Sequence, residues 1–561
     1  MKSVFRVEMP ENAESCSLML KAFLGLPCRL LCCLPLLIFL LQLPAYSWKL
    51  VPKPWIEKPE KGICKVDPTW KWTFGSDSSE YLQHIYNPFL AWADSLAPGY
   101  FKPVSAFDFA LGEVKMEIKP MAGLGPEGYE LRLEENRILL QAPSQRGIFY
   151  GLQTLRQLIF QKITQKTPIS KGLIKDKPRF SWRGMHLDVS RHFFSVREIK
   201  TYLDMLALHK MNVFHWHLTD DQGWRLEIKA FPKLTEIGAW RKETMIGHYY
   251  DKPRKFDGKP HGGFYTQKDV RDLVAYAAQR MITIVPEIEV PGHCQEMVAA
   301  YPELGSFISP DSAPQVMTTW GGTQHILNPF PPTLRFLESV LDEVMTLFPS
   351  AYIHVGGDEA IKTQWKKNPA IQKFKDSLGL KTERELQSWM IRHLDRYLTS
   401  KGRKLMGWDE ILEGGLAENA AVMSWRGEKG GIAAAKMKHS VVMSPGTHCY
   451  FDKYQVADKT KEPLAIGGFI PLNKVYEYEP QPALLSPKEK NYVLGAQGNV
   501  WTEYIPDFKQ VQYMALPRMA ALAEVVWTPV AQKNFGDFKS RQKELNHWYS
   551  SQGWTWCKHG F

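Results

Sequence analysis

The sequence predicts an α/β protein whose main body is a (β/α)8 TIM barrel, preceded by a small α+β domain. Three observations carry this expectation. Eight short β-rich runs, at 182–188, 212–217, 282–287, 352–355, 404–408, 421–425, 440–443 and 492–497, alternate with amphipathic helical patterns over about 350 residues. Helix starts are marked by capping boxes: Ser195 with Glu198 precedes Ile199, Leu203 and Leu206, and Thr266 with Asp269 opens a helix running to Arg280. Ionisable and aromatic residues gather just after the runs, at the barrel end where reactive groups belong. An open doubly wound sheet is the competing fold, but no Gly-rich phosphate loop follows the first run.

At the start of the chain Lys2, Arg6, Lys21 and Arg29 precede an apolar run from Leu30 to Leu43, followed by Ala45-Tyr46-Ser47 at signal-peptidase spacing. Residues 1–47 are therefore expected to be a signal peptide, which makes the mature chain extracytoplasmic, either periplasmic or secreted. The run contains Pro35 and falls short of the ~20 residues a spanning helix needs, so no membrane span is expected after cleavage. Residues 48–177 read as the small domain. Tyr129, Leu131 and Leu133 alternate with polar residues, Glu135-Asn136 turn the chain, and Ile138 and Leu140 alternate again, which predicts a hairpin. Phe149, Leu152, Leu155 and Ile159 then lie at helical spacing over 147–160. Pro168 and Pro178 punctuate the polar stretch that follows, and residues 178–561 read as the barrel with a C-terminal helical segment.

The 561 residues exceed what one hydrophobic core usually supports, and 44% hydrophobic with 23% charged residues excludes both a disordered polymer and a polytopic membrane protein. The net charge of +11 is scattered. No Lys/Arg block is interleaved with aromatics, so no nucleic-acid partner is expected. Of the eight cysteines, Cys16, Cys28, Cys32 and Cys33 would leave with the signal. Cys64, Cys294, Cys449 and Cys557 lack metal-type spacing and allow two disulfides in any of three pairings, among which the sequence does not choose. Nor does it decide between a monomer and a homodimer.

The richest segment is His354-Val355-Gly356-Gly357-Asp358-Glu359, after the fourth run, where two glycines let the backbone turn and present two carboxylates at the rim. Other runs end similarly. The first leads to Asp188 and Arg191, the second to His215-Trp216-His217 and Asp220-Asp221, and the third to Glu287, Glu289 and His293. The fifth ends at Trp408-Asp409-Glu410, the sixth at Trp425-Arg426, and Tyr450, Asp452, Trp501 and Glu503 follow the last two. Several Trp at one rim are the usual equipment for stacking on a sugar ring. His215 and His217 share a strand face and could bind a metal, but a third ligand would come from groups better used on a sugar, so no metal is expected.

The segments 215–225, His-Trp-His-Leu-Thr-Asp-Asp-Gln-Gly-Trp-Arg, 286–293, Pro-Glu-Ile-Glu-Val-Pro-Gly-His, and 354–359 resemble the signatures of family 20 glycoside hydrolases, the β-N-acetylhexosaminidases. Segment 125–160 resembles the end of that family's small α+β domain and 178–529 its barrel; Glu289 stands where family members often carry Asp. The resemblance implies a cofactor-free, exo-acting enzyme that removes terminal β-linked N-acetylhexosamine, GlcNAc or GalNAc, from glycans. It further implies the substrate-assisted mechanism known for such families, in which the sugar's 2-acetamido group is the nucleophile. Glu359 would then be the proton donor, kept protonated by apolar walls and a neighbouring negative charge, and Asp358 would orient the acetamide. By the same resemblance Tyr450 would hold the acetamide carbonyl and Trp408, Trp425 and Trp501 would wall the sugar. Arg191, Asp452 and Glu503 would bind its hydroxyls, while Asp221 and His293 would support the acid pair from behind. A sugar-binding barrel without catalysis and a metal-dependent hydrolase using His215 and His217 are the rival readings.

Overall fold

The computed structural model describes residues 48–67, 70–74, 85, 87–93, 112–308 and 313–559. The expected signal peptide lies outside these residues. Six strands form the first sheet: β1 (Ile56–Ile63), β2 (Lys71–Phe74), β3 (Glu113–Ile118), β4 (Tyr129–Leu133), β5 (Arg137–Ala142) and β6 (Ser170–Asp176), in the spatial order β1-β6-β4-β5-β3-β2. The predicted hairpin is β4 and β5, paired antiparallel with Leu133 opposite Ile138 and Leu131 opposite Leu140. Tyr129, Leu131 and Leu133 all bury their side chains, as the period of two requires.

Helix α1 (Gln145–Gln165) packs on this sheet and is longer at both ends than the apolar spacing implied. Ser144 caps its start by accepting from the Arg146 amide, and Lys166 ends it in the left-handed region at φ 58°. The extension is hidden in sequence because Gln157 and Gln161 interrupt the apolar stripe. Both are buried, and their amides donate to the carbonyls of Val51 (2.6 Å) and Lys49 (2.8 Å). Polar residues thus occupy core positions at no loss of hydrogen bonding.

Eight parallel strands follow: β7 (Trp182–Asp188), β8 (Val213–His217), β9 (Thr283–Glu287), β10 (Tyr352–His354), β11 (Lys404–Trp408), β12 (Ala421–Ser424), β13 (Val441–Met443) and β14 (Val493–Gly498). They close into a barrel, with β14 beside β7. The predicted capping boxes both form, at the starts of α2 (Val196–Leu208) and α3 (Gln267–Ala278). Helix α3 stops before Arg280, because Met281 turns left-handed at φ 56° and the Ile282 amide donates back to the Ala277 carbonyl. Strand register sets Asp188, His217, Glu287 and His354 level across β7 to β10, so one layer of the barrel interior is polar.

Cys64, Cys294, Cys449 and Cys557 are all buried and unpaired, so none of the three disulfide pairings forms. Among the described residues no helix is long and apolar enough to cross a membrane.

The sheet and the barrel meet at a buried carboxylate. Asp176, at the end of β6, accepts from Tyr129 Oη (2.7 Å), Lys210 Nζ (2.9 Å), Trp527 Nε1 (2.9 Å) and the Trp55 amide (3.2 Å). Lys210 is almost fully buried and has no other carboxylate partner among the described residues. Asp176→Ala should therefore strand a buried cation and destabilise the chain by about 3–5 kcal/mol, read as a lowered denaturant midpoint. A midpoint equal to that of the wild type would show that the contact contributes little.

Candidate active site

The sequence motifs converge because each follows a barrel strand on the same rim. The turn after β10 is made by Gly356 and Gly357 at φ 63° and 98°, and Glu359 itself adopts φ 45°. A side chain at 356 has no room as well as no conformational licence, since its Cβ would lie 1.7 Å from Glu289 Oε2. Asp358 is buried at 8% exposure, whereas the Glu359 side chain is 51% exposed. Both carboxylates face one imidazole: His293 Nε2 lies 3.7 Å from Asp358 and 3.6 Å from Glu359.

Behind His293 stands Asp220. Its Oδ1 is 3.1 Å from His293 Nδ1, and its Oδ2 is 2.6 Å from Arg191 Nη2 and 3.0 Å from His217 Nε2. The family resemblance singled out Asp221, but Asp221 is the looser partner of His293, at 3.5 Å, and accepts mainly from the Gln295 amide at 3.0 Å. The sequence signal for Asp220 was its place next to Asp221 on the same loop, which spacing alone could not resolve. Arg191 is aimed from three sides, donating to Gln222 through Nε (2.9 Å), to Asp188 through Nη1 (3.2 Å) and to Asp220. Two of its five N–H groups remain for a ligand.

Arg191, Asp358, Glu359, Trp425, Tyr450 and Asp452 line one cavity of about 710 Å³, together with Trp501, Glu503 and His293. The Trp425 and Tyr450 rings lie nearly parallel at 6.0 Å, and the Trp501 ring is tilted by 45° to Tyr450 at 6.3 Å, giving the cavity aromatic walls. The Trp425 indole is fixed by donating to Glu410 Oε2 at 2.9 Å, a role for Glu410 not anticipated from the sequence. Trp408 is placed differently: it does not line the cavity but lies buried behind Trp501, ring centroids 5.8 Å apart, against His215 and His354.

The charges are strongly arranged. Burial, and then the carboxylates of Glu287 and Glu359, raise Asp358 to about 6. Burial also raises Asp452 to about 7, with Glu503 adding to it, and Glu410 to about 8, with Asp358 adding to it. Burial works against charge on His293, yet Asp220 and its other acidic neighbours hold it cationic, well above the usual imidazole range. That imidazolium holds Glu359 below its ordinary value. Here the structure differs from expectation, because in the open cavity Glu359 faces a cation and solvent instead of apolar walls. Glu289 is the opposite case. Burial and the nearby Asp358 push it well above the carboxylate range, and neither of its oxygens has a hydrogen-bond partner.

Among the described residues, three groups of side chains bring ligand atoms within 4.8 Å of one another: His186/His217/Glu287, His215/Glu287/His354 and Asp220/Asp221/His293. In the second and third groups the side chains already pair with one another, as do His217 and Glu287 in the first, whereas neither ring nitrogen of His186 has a hydrogen-bond partner. Glu287 meets His217, His215 (3.1 Å) and His354 (2.7 Å), and although burial opposes it, this contact helps raise His217 to about 10.

The model of the catalytic domain of glycosyl hydrolase family 20 matches residues 180–530, and that of the family's domain 2 matches 101–177. The chain belongs to glycosyl hydrolase family 20. Among relatives of this family 20 chain, a β-hexosaminidase of Porphyromonas gingivalis is 47% identical over 426 residues, which are 74% of this chain and 53% of that protein. The match thus spans about half the length of that relative. A β-hexosaminidase of Vibrio furnissii is 35% identical over 421 residues, 74% of this chain and 67% of its own. A solved exo-β-N-acetylglucosaminidase of family 20 from Vibrio harveyi, in complex with N-acetylglucosamine, superposes with a TM-score of 0.79 at 32% identity. That alignment covers 91% of this chain and 78% of the Vibrio chain.

Glu289 gives a test of the charge pattern in this family 20 site. A carboxyl whose folded pKa is raised favours the fold at low pH and loses that advantage as pH rises above the unfolded value of 4.5. Glu289→Gln should therefore melt with the wild type near pH 4 and above it near pH 8. A difference from the wild type that is the same at both pH values would show that the fold does not raise the Glu289 carboxyl.

Proposed function

We propose that the chain is an exo-acting β-N-acetylhexosaminidase that removes terminal β-linked GlcNAc or GalNAc from glycans with retention, the substrate's acetamide acting as nucleophile. One observation supports the substrate-assisted route. A protein nucleophile requires two carboxyls on opposite sides of the scissile bond, about 5 to 5.5 Å apart. Asp358 and Glu359 are instead adjacent in the chain, and both approach the same nitrogen of His293.

In this reading Arg191, Asp452 and Glu503 hold the sugar hydroxyls, and Trp425 and Trp501 wall the ring and the acetyl methyl. The Tyr450 hydroxyl donates to the acetamide carbonyl, bending it towards the anomeric carbon. Asp358 accepts the acetamide N–H and stabilises the positive charge that develops there. Glu359 gives its proton to the glycosidic oxygen as the acetamide oxygen bonds to C1 and the C1–O bond breaks, its electron pair leaving with the aglycone. The oxazolinium ion is then opened by water, which attacks C1 while Glu359 takes a proton from it. No cofactor is needed, and the expected export through residues 1–47 would place the enzyme among extracellular or periplasmic glycans.

A panel of β-glycosides with and without the 2-acetamido group, assayed with and without chelator, tests the reading. Acetamido substrates should be cleaved alike in both conditions, and the plain glucosides should be nearly inert. Efficient cleavage of a plain glucoside would remove substrate assistance, and loss of activity on chelation would favour a metal centre at the His/Glu clusters.

The working form needs Asp358 ionised and Glu359 protonated, the reverse of the order their surroundings impose. Below about pH 6 the gain in protonated Glu359 is offset by protonation of Asp358; above it Asp358 is already charged and only Glu359 is lost. kcat/KM should thus be level in mild acid and fall as pH rises through about 6. A profile still climbing past neutrality would contradict these roles.

A further inference from the structure

A second cavity lies at the other end of the barrel. The end of α2 and the turn after α3 lead into β8 and β9, so Asp204, Leu208, Gln279 and Arg280 stand at the end away from the rim that carries Asp358 and Glu359. With α1 of the small domain, residues Phe89 and Trp92, and a C-terminal helix, α4 (Phe535–Ser551), they enclose about 320 Å³. Among the described residues the two cavities share no lining side chain.

The walls are aromatic and hold a cation. Phe89, Trp92, Phe149, Trp548 and Trp554 line the cavity. The Trp92 and Trp548 rings stack at 4.9 Å and 11°, and the Arg156 guanidinium lies over both, 4.5 Å from the first centroid and 5.3 Å from the second. Its Nη1 donates to Gln153 Oε1 at 3.0 Å, and its Nε, closed off from solvent, has no hydrogen-bond partner. The nearby acid, Asp204, is engaged elsewhere, by Arg280 Nε at 2.5 Å and Tyr276 Oη at 2.9 Å. Among the described residues Arg156 therefore has no ion-pair partner, and burial draws it down to about 10. A guanidinium left this way between apolar walls is costly, and an anion brought by a ligand offsets that cost.

We propose that this cavity is a binding site, separate from the catalytic one, for a carboxylated pyranose whose carboxylate meets Arg156. The class follows from the rest of the lining. Aromatic walls suit the C–H face of a sugar ring, while the amides of Gln153, Gln279 and Gln552 and the Asp204 carboxylate offer donors and acceptors to its hydroxyls. An aromatic acid would match the walls but leave those polar groups unpaired. The volume is that of a small-ligand site and admits one ring. Because the site lies away from Glu359, its ligand is held and not cleaved, and it anchors the chain to glycans that carry uronate or sialate. This site is independent of the hexosaminidase reading above.

The test measures binding to the full-length protein by calorimetry, with the thermal midpoint as a second readout, for glucuronate, N-acetylneuraminate, glucose and benzoate. One or both sugar acids should bind saturably and raise the midpoint, and glucose should do neither. Glucuronate alone would assign the site to uronates, and N-acetylneuraminate alone to sialates. Arg156→Gln should weaken sugar-acid binding about tenfold, the loss of one charge-assisted contact, while the variant still melts cooperatively. If that variant does not fold, Gln279→Ala, on the barrel wall away from the indoles, should weaken binding in the same direction. Failure of both sugar acids to bind, glucose binding as well as they do, benzoate binding more tightly, or sugar-acid binding unchanged in the folded variant would each overturn the site.

Discussion

Asp220 is the constraint around which the site is organised. Its carboxylate, almost wholly out of solvent, is shared among Arg191, His217 and His293. A buried charge survives only if it is paired and hydrogen-bonded, and here each pairing also assigns a task. One oxygen aims the guanidinium at the cavity; the other fixes an imidazolium beneath the acid pair. Removing this carboxylate would leave three cations competing in a dry interior, and the orientation of Arg191 and the protonation of His293 would be lost together.

The same logic extends down the barrel. A typical interior is filled by branched aliphatic side chains, yet Glu287 here stands level with His217 and His354, holding three imidazoles. Burial depresses His215 to about 4 while Glu287 and Asp220 keep His217 charged despite burial, so neighbouring histidines on one strand carry different protonation states. Such a network stabilises less than an apolar core of equal volume would. What it supplies is a floor of fixed dipoles and charges that need not reorganise when a substrate arrives. Its members act as a group, so effects of single substitutions within it should not add.

Much of this was legible in the residues themselves. Every barrel strand lies within one residue of its β-rich run, because short apolar runs bounded by polar rims have few other ways to be buried. The rim's carboxylates and aromatics stood out because chemistry that crowds one rim leaves its residues in order after each strand, while the roles expected of them came from the family resemblance. Less visible were features decided by contact. Asp220 and Asp221 are indistinguishable by spacing and differ only in which one faces His293. Trp408 shares the rim's composition but turns inward behind Trp501. The ionised state of Glu359 follows from one imidazole 3.6 Å away, reached from a different strand, which no local pattern encodes.

The four unpaired thiols carry a practical implication. Cys64, Cys294, Cys449 and Cys557 sit in apolar surroundings that raise each of them, so they are poor nucleophiles and weak targets for oxidants. Folding of the described residues makes no demand on an oxidising compartment or a disulfide isomerase. The same fold is therefore open to synthesis in reducing cytosol and stays indifferent to the redox poise of wherever the chain finally works.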